Sequence, residues 1–329
     1  MSEDSSSIAR RPSRRLAVIL ALAVAVIVAA DLAVTAVGGH LQRPLYWPTW
    51  EIQHKYDELA TAGQPYSVVF FGDSVPDSAI DPSLMTALPG GAYNASLAGE
   101  PLPVVADWAR RIVVPKLHPA TVVLCFGINV LSDPGNDQAA LIQQFNRSRP
   151  VAVAEGRGSD LDHLDGWLHA HIGLFRYRTV LRQPFAQSAA GGAAIYDPPL
   201  TSLGWNQGFQ AGVQSAAAAA FDQNEATYQI DPARLTLIGD LVRELRAQVA
   251  NVVVVMMPVS HAYLPALPGG RPTYERALAG MTQEARTNGA TVLQAGEWSN
   301  RDFADAAHLN RAGTVRFSTW VADKLAGLG

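Results

Sequence analysis

An α/β domain built as a three-layer αβα sandwich around a mainly parallel sheet, preceded by one N-terminal transmembrane helix, is the architecture this sequence predicts. Three observations carry it. From residue 67 onward, short apolar runs alternate with helical stretches, the pattern of strands joined by crossover helices. The runs are dense in valine, which suits strands covered on both faces. Residues 16–37 are apolar with a single acidic interruption, Asp31.

The elements follow in chain order. Ser67 to Phe71, Ala92 to Ser96, Thr121 to Phe126, Asn251 to Met257 and Thr291 to Gln294 read as five strands. Val104 to Leu117, Pro232 to Val249, Pro272 to Asn288 and Asn310 to Leu328 read as helices, several with Pro or Asp near the start. Residues 132–230 break the alternation with Gly, Pro, Asn, Gln and the alanine run Ala216 to Ala220, and read as an insert of loops and short helices. An insert between two core strands is expected over the strand ends, where open α/β sheets bind ligands, roofing a cleft between Asn129 and the fourth strand. The chain thus divides into a basic tail over 1–15, an anchor over 16–38, a juxtamembrane segment over 39–65 and the α/β domain over 66–329.

The anchor follows from length and charge. At 1.5 Å per residue, about 22 helical residues span roughly 33 Å, enough for a hydrocarbon core of about 30 Å. Arg10, Arg11, Arg14 and Arg15 precede the span and no comparable cluster follows it, so the N-terminus is expected in the cytoplasm and the rest of the chain outside. A cleaved signal peptide, trimmed after Val28-Ala29-Ala30, is the competing reading. Ser13-Arg14-Arg15 reads as a topogenic charge cluster rather than a twin-arginine signal. Tyr46, Trp47 and Trp50 are placed either at the outer headgroup level or against the domain.

Composition narrows the function classes. A formal net charge of −4 and a pI near 6.1 do not favour a nucleic-acid partner. Cys125 is the single cysteine, so no intrachain disulfide exists, and its place in Val122-Val123-Leu124-Cys125-Phe126 reads as a buried strand position rather than a nucleophile.

Four segments carry the chemistry: Phe71-Gly72-Asp73-Ser74, Asn94-Ala95-Ser96-Leu97-Ala98-Gly99, Gly127-Ile128-Asn129 and Asp305-Ala306-Ala307-His308. A nucleophilic serine needs a base to take its proton, a carboxylate to orient that base, and donors for the oxyanion that forms. Ser74 directly follows the first strand, where Gly72 lets the chain turn and leaves the hydroxyl at the sheet's carboxyl edge. His308, three residues after Asp305 in a polar loop, has the spacing at which a turn brings the carboxylate to one imidazole nitrogen while the other faces Ser74. Asp302 competes for the carboxylate role with poorer spacing. The N–H groups of Ser74 and Gly99 and the side-chain amide of Asn129 would make a three-donor oxyanion hole. Each segment alone also reads blandly, as a helix cap, a surface histidine or a turn.

The ordered set resembles the four blocks of the SGNH (GDSL-type) hydrolase superfamily over about residues 66–329, excluding the insert. The resemblance implies a flavodoxin-like sandwich, with Ser74 as nucleophile, Gly99 and Asn129 as oxyanion donors and Asp305 and His308 as the remaining catalytic pair. It departs at Val75, where many members have Leu, and at Val130, which replaces a common Asp. A looser likeness is to the membrane-tethered branch, which includes the D-alanyl transfer protein of teichoic acid modification and the alginate O-acetyltransferases. It rests on the anchor, on Phe175-Arg176-Tyr177-Arg178, on Met257-Pro258-Val259-Ser260 and on the His-Leu-Asn-x-x-Gly ending at Gly313. That likeness implies acyl transfer to or from an envelope glycopolymer, beside a membrane-bound O-acyltransferase partner.

Other candidates have simpler readings. His163, His169 and His171 with Asp160 and Asp162 are spaced for a metal but read as polar surface, so no metal or cofactor is expected. Arg176, Arg178 and Arg182 either meet an anionic polymer or headgroups or form a solvated helix face. Tyr263 and Trp298 either line a cleft or pack in the core. The expectation is an extracytoplasmic serine esterase or O-acyltransferase acting on acylated carbohydrate or another ester, with a non-catalytic scaffolding subunit as the alternative.

Overall fold

The computed structural model describes residues 14–37, 47–61, 66–132, 138–157, 164, 167–168, 171–177, 181, 200–207 and 228–328. Five parallel strands form the central sheet: β1 (Val68–Phe71), β2 (Ala92–Asn94), β3 (Thr121–Phe126), β4 (Asn251–Met256) and β6 (Thr291–Gln294), in the order β2-β1-β3-β4-β6. Val122 pairs with Val69 on one side and Val252 on the other, so the valine-dense runs are the strands at the middle of the sheet. Two short strands, β5 (Val259–Ser260) and β7 (Glu297–Trp298), pair in parallel just beyond the sheet and were too short to carry a periodic signal. β2 stops at Asn94 instead of running to Ser96. The Asn94 side chain donates to the carbonyls of Pro76, Asp77 and Ile80 at 3.0, 3.1 and 3.0 Å, which turns the chain out of the strand.

Helices cover both faces, and side-chain alternation along the strands decides which residue meets which layer. Val69, Phe71, Val122, Leu124, Val252 and Val254 point to one layer, with the helices Leu102–Asp107, Pro232–Arg246 and Gly270–Thr287. Val68, Phe70, Val123, Cys125, Val253 and Val255 point to the other, with Ser74–Ala79 and Arg311–Ala326. Caps set the starts. Asp231 accepts from the Ala233 N–H at 2.9 Å ahead of Pro232, and Asn310 accepts from the Gly313 N–H at 3.1 Å.

The Trp47–Thr61 helix lies within the juxtamembrane segment expected over 39–65. Ile52, Tyr56 and Leu59 lie one helical face apart and are buried in the first layer. Among the described side chains, this helix packs against the α/β domain from Glu51 onward. The side chains of Tyr46, Trp47 and Trp50 lie outside the described residues.

The N-terminal helix spans Arg14–Val37 and is long and apolar enough to cross a membrane. Its one acidic residue is not left bare: Asp31 Oδ1 accepts from the Leu174 N–H at 2.8 Å, at the start of the short helix Gly173–Arg176.

Candidate active site

Ser74 is delivered by a tight strand-to-helix turn. β1 ends at Phe71 and the helix starts at Ser74, with Asp73 capping it by accepting from the Val75 N–H at 2.9 Å. A Cβ at Gly72 would overlap the carbonyl oxygen of Cys125 and the Pro76 ring, so only glycine lets β1 turn this close to β3. Ser74 is half-buried while the rest of its helix is buried, which leaves its hydroxyl facing the cleft. The position is the carboxyl end of β1, where the connections to β2 and β3 run in opposite directions, the switch point at which open α/β sheets bind ligands.

The base and its orienting carboxylate come from the loop before the last helix. Phe303 and Leu309 bridge, the Ala304 N–H donates to the His308 carbonyl at 2.8 Å, and Leu309 is fully buried, which plugs the loop into the core. Within it Asp305 Oδ1 accepts the N–H groups of Ala307 and His308 at 2.9 and 2.8 Å, and Asp305 Oδ2 lies 2.8 Å from His308 Nδ1. His308 Nε2 lies 3.0 Å from Ser74 Oγ. Burial alone would raise the Asp305 carboxyl. The His308 hydrogen bond and charge and the two backbone N–H groups outweigh it and hold the carboxyl below its ordinary value, so it stays ionised beside the imidazole. Asp302 is engaged elsewhere, accepting from Arg316 Nη1 at 2.8 Å, and the shorter spacing of Asp305 wins the contact with His308.

Asn129 follows β3 in the short turn Ile128–Leu131, and its Nδ2 donates to Asp73 Oδ2 at 2.7 Å. One of its two amide protons is thereby taken up by Asp73, and Asn129 lines the cleft together with Ser74 and His308. Asp73 is thus both helix cap and Asn129 orienter, a role that spacing alone did not reveal. Burial pushes its carboxyl above the ordinary range against the pull of the Val75 N–H and the Asn129 amide. Gly99, with φ 74°, ends the loop after β2 in a conformation that favours glycine, but it is not part of the cleft wall. Its loop is nonetheless tied to the serine's turn, since the Leu97 N–H donates to the Gly72 carbonyl at 2.9 Å.

The cleft is small, about 110 Å³, and its far wall is Met257, Pro258, Val259 and Tyr263. Tyr263 is therefore both buried and part of the cleft, whereas Trp298 is a core residue packed against Phe317 and covered by Arg316. Cys125 is buried, and its thiol is pushed far up by burial first and by Asp73 second, which leaves it no part as a nucleophile.

Among the described residues, none of 138–207 lines the cleft, which corrects the expectation of a roof for that part of the insert. Leu200–Asn206 instead packs behind the Ser74 helix: Trp205 Nε1 donates to the Ser78 carbonyl and the Asn206 N–H to the Asp77 carbonyl, at 2.9 and 3.1 Å. His171 is exposed and stacks on Trp167, and no metal-ligating cluster occurs among the described residues. His163, His169, Asp160, Asp162, Arg178, Arg182 and the side chain of Arg176 lie outside them, as does Ala216 to Ala220.

No protein-family model matches the chain, and no curated protein matches it in sequence. Among solved structures it is similar to a mutant of the acetyl-xylooligosaccharide esterase Axe2 from Geobacillus stearothermophilus, at 13% identity and TM-score 0.36 over 80% of this chain and 95% of that one. It is likewise similar to an inhibitor-bound aryl esterase of M. smegmatis, at 12% identity and TM-score 0.36 over 80% and 100%. The carbohydrate acetylesterase Est24 from Sinorhizobium meliloti stands at 15% identity and TM-score 0.36 over the same shares. Likeness at this level says nothing of activity, so the chemistry of the cleft has to come from its own side chains.

Proposed function

We propose that the chain is an extracytoplasmic serine esterase or O-acyltransferase, tethered by its N-terminal helix, that handles short acyl esters of cell-envelope glycopolymers through an acyl-enzyme on Ser74. The observation that carries this reading is the continuous relay from Asp305 through His308 to Ser74 at the mouth of a cleft that also holds the Asn129 amide.

In the proposed reaction Ser74 Oγ attacks the ester carbonyl as its proton passes to His308 Nε2, 3.0 Å away. The tetrahedral oxyanion is met by the N–H of Ser74, at the start of a helix where such groups lack an intrahelical partner, and by the second proton of Asn129 Nδ2. The bond to the leaving alcohol breaks, and the imidazolium returns the proton to that oxygen while ionised Asp305 stabilises the cation. Water or a sugar hydroxyl then attacks the acyl group on Ser74, His308 takes its proton, and Ser74 leaves with that proton restored. The small cleft bounded by Met257, Val259 and Tyr263 suits an acetyl or similarly short acyl group.

Four arginines before the apolar helix favour a cytoplasmic N-terminus and an outward-facing domain. In the transfer branch of the reading, a membrane-bound O-acyltransferase is the partner that supplies the acyl group.

The test is turnover of 4-nitrophenyl acetate against 4-nitrophenyl decanoate by the full chain in detergent, with and without an oligosaccharide acceptor. Acetate turnover that exceeds decanoate turnover and disappears in Ser74→Ala is expected. Acetate turnover that survives Ser74→Ala would contradict the reading.

A further inference from the structure

Behind the cleft lies a buried ionic network that the reaction does not use directly. Lys55, Glu51 and Asp77 are all fully buried. Lys55 Nζ lies 2.7 Å from Asp77 Oδ1 and 3.1 Å from Glu51 Oε1, and it also donates to the Ser96 carbonyl. Glu51 Oε2 accepts from the Ala98 N–H at 3.2 Å, and Asp77 Oδ2 accepts from Asn206 Nδ2 at 2.6 Å. Burial alone would lower the Lys55 pKa, but Asp77 and Glu51 carry it above its ordinary value, so the centre of the network is an ammonium.

The network joins parts that catalysis needs in register. Asp77 sits one turn after Ser74 on the same short helix, while Ser96 and Ala98 belong to the loop that ends at Gly99. Glu51 and Lys55 come from neither: they belong to the helix Trp47–Thr61, which follows the membrane span. Apolar packing of the same volume would stabilise the fold as well or better, because desolvating charges offsets most of their attraction. What an ammonium adds is direction, since its three donors reach a helix, a loop carbonyl and its own helix at once.

Building on the acyl-enzyme reading of Ser74, we propose that Lys55 and Glu51 are positioning residues that hold the loop ending at Gly99, which is tied to the serine's turn through Leu97 and Gly72, at a fixed distance from the Ser74 helix. The juxtamembrane helix is then part of the catalytic apparatus rather than a tether. It acts on transition-state stabilisation and not on substrate capture, because it touches the donors' scaffold and no wall of the cleft.

The test uses the full chain in detergent and scales every rate to the number of sites that a fluorophosphonate labels at saturation. Two variants are made: Glu51→Gln, which keeps shape and loses charge, and the triple Lys55→Met, Glu51→Gln, Asp77→Asn, which leaves no orphaned buried charge. The expected result is a fall in kcat per labelled site of about 10-fold or more for Glu51→Gln, with KM for 4-nitrophenyl acetate within about threefold. A larger fall is expected for the triple variant. A merely structural role lowers the number of labelled sites and leaves kcat per site unchanged, and that outcome in Glu51→Gln overturns the proposal even where the triple variant does not fold. Wild-type protein that neither labels nor turns over would instead overturn the acyl-enzyme reading on which the proposal rests.

Discussion

Replacing Glu100 with glutamine removes a carboxyl that the fold buries next to Gly99, just past the loop after β2. Glu100 is 6% exposed, and its Oε2 has no hydrogen-bond partner among the described residues. Burial raises its pKa from 4.5 to about 7. Between those two values the unfolded chain has released the proton and the folded chain still holds it. The unfolded state therefore binds fewer protons, and stability falls as pH rises through this window. Below it both states are protonated and the penalty vanishes; above it the penalty is complete. At about 1.4 kcal/mol per tenfold change, the move from 4.5 to about 7 amounts to an upper bound of about 3.5 kcal/mol. For a domain of this size that corresponds to at most about 7–14 °C in Tm. Thermal unfolding of wild type and Glu100→Gln, followed by tryptophan fluorescence at pH 4, 6 and 8, measures it. Any constant effect of the new amide cancels in the comparison across pH. The variant's advantage should grow from pH 4 to pH 8, and two Tm curves that run parallel over that range would refute the reasoning.

Two further substitutions follow from the site. In Asp305→Asn the remaining carbonyl oxygen still accepts the N–H groups of Ala307 and His308, so the loop keeps its shape while the imidazolium loses its counter-charge. Steady-state kinetics should show kcat/KM down by about 10³–10⁴ with Tm nearly unchanged, and a loss under tenfold would contradict the relay. In Gly72→Ala the new methyl collides with the Cys125 carbonyl and must push β1 from β3 at the point where Ser74 is set. Destabilisation by about 3 kcal/mol or more is expected in urea unfolding, together with loss of esterase activity; a fully active, fully stable variant would show that the turn is not as tight as described.

How much of this was readable beforehand depended on whether the signal was local. The valine runs at 121–126 and 251–256 became the adjacent strands β3 and β4 because continuous apolar runs have few other places to go. Asp305 and His308 were readable because three residues of chain enforce their contact. Lys55 and Glu51 were not, because a helix bearing Glu, His, Lys and Asp reads as solvated, and their partner Asp77 lies in a different element. A signal was present all the same in Ile52, Tyr56 and Leu59, whose helical spacing marks a buried face. The Asp73 contact with Asn129 was hidden for the same reason of distance: it spans two strand ends brought together only by the sheet. The insert, lacking any sustained period, placed Trp205 and Asn206 behind the Ser74 helix without announcing it.

The central claim is that Ser74 is an activated nucleophile, and covalent labelling tests it most directly. The full chain, treated with a fluorophosphonate and digested, is predicted to give a mass adduct on the peptide containing Ser74. Labelling should be abolished in Ser74→Ala and slowed strongly in His308→Ala, because Nε2 is the group 3.0 Å from the hydroxyl. An adduct that persists in Ser74→Ala, or a wild-type chain that takes none up, would contradict the account.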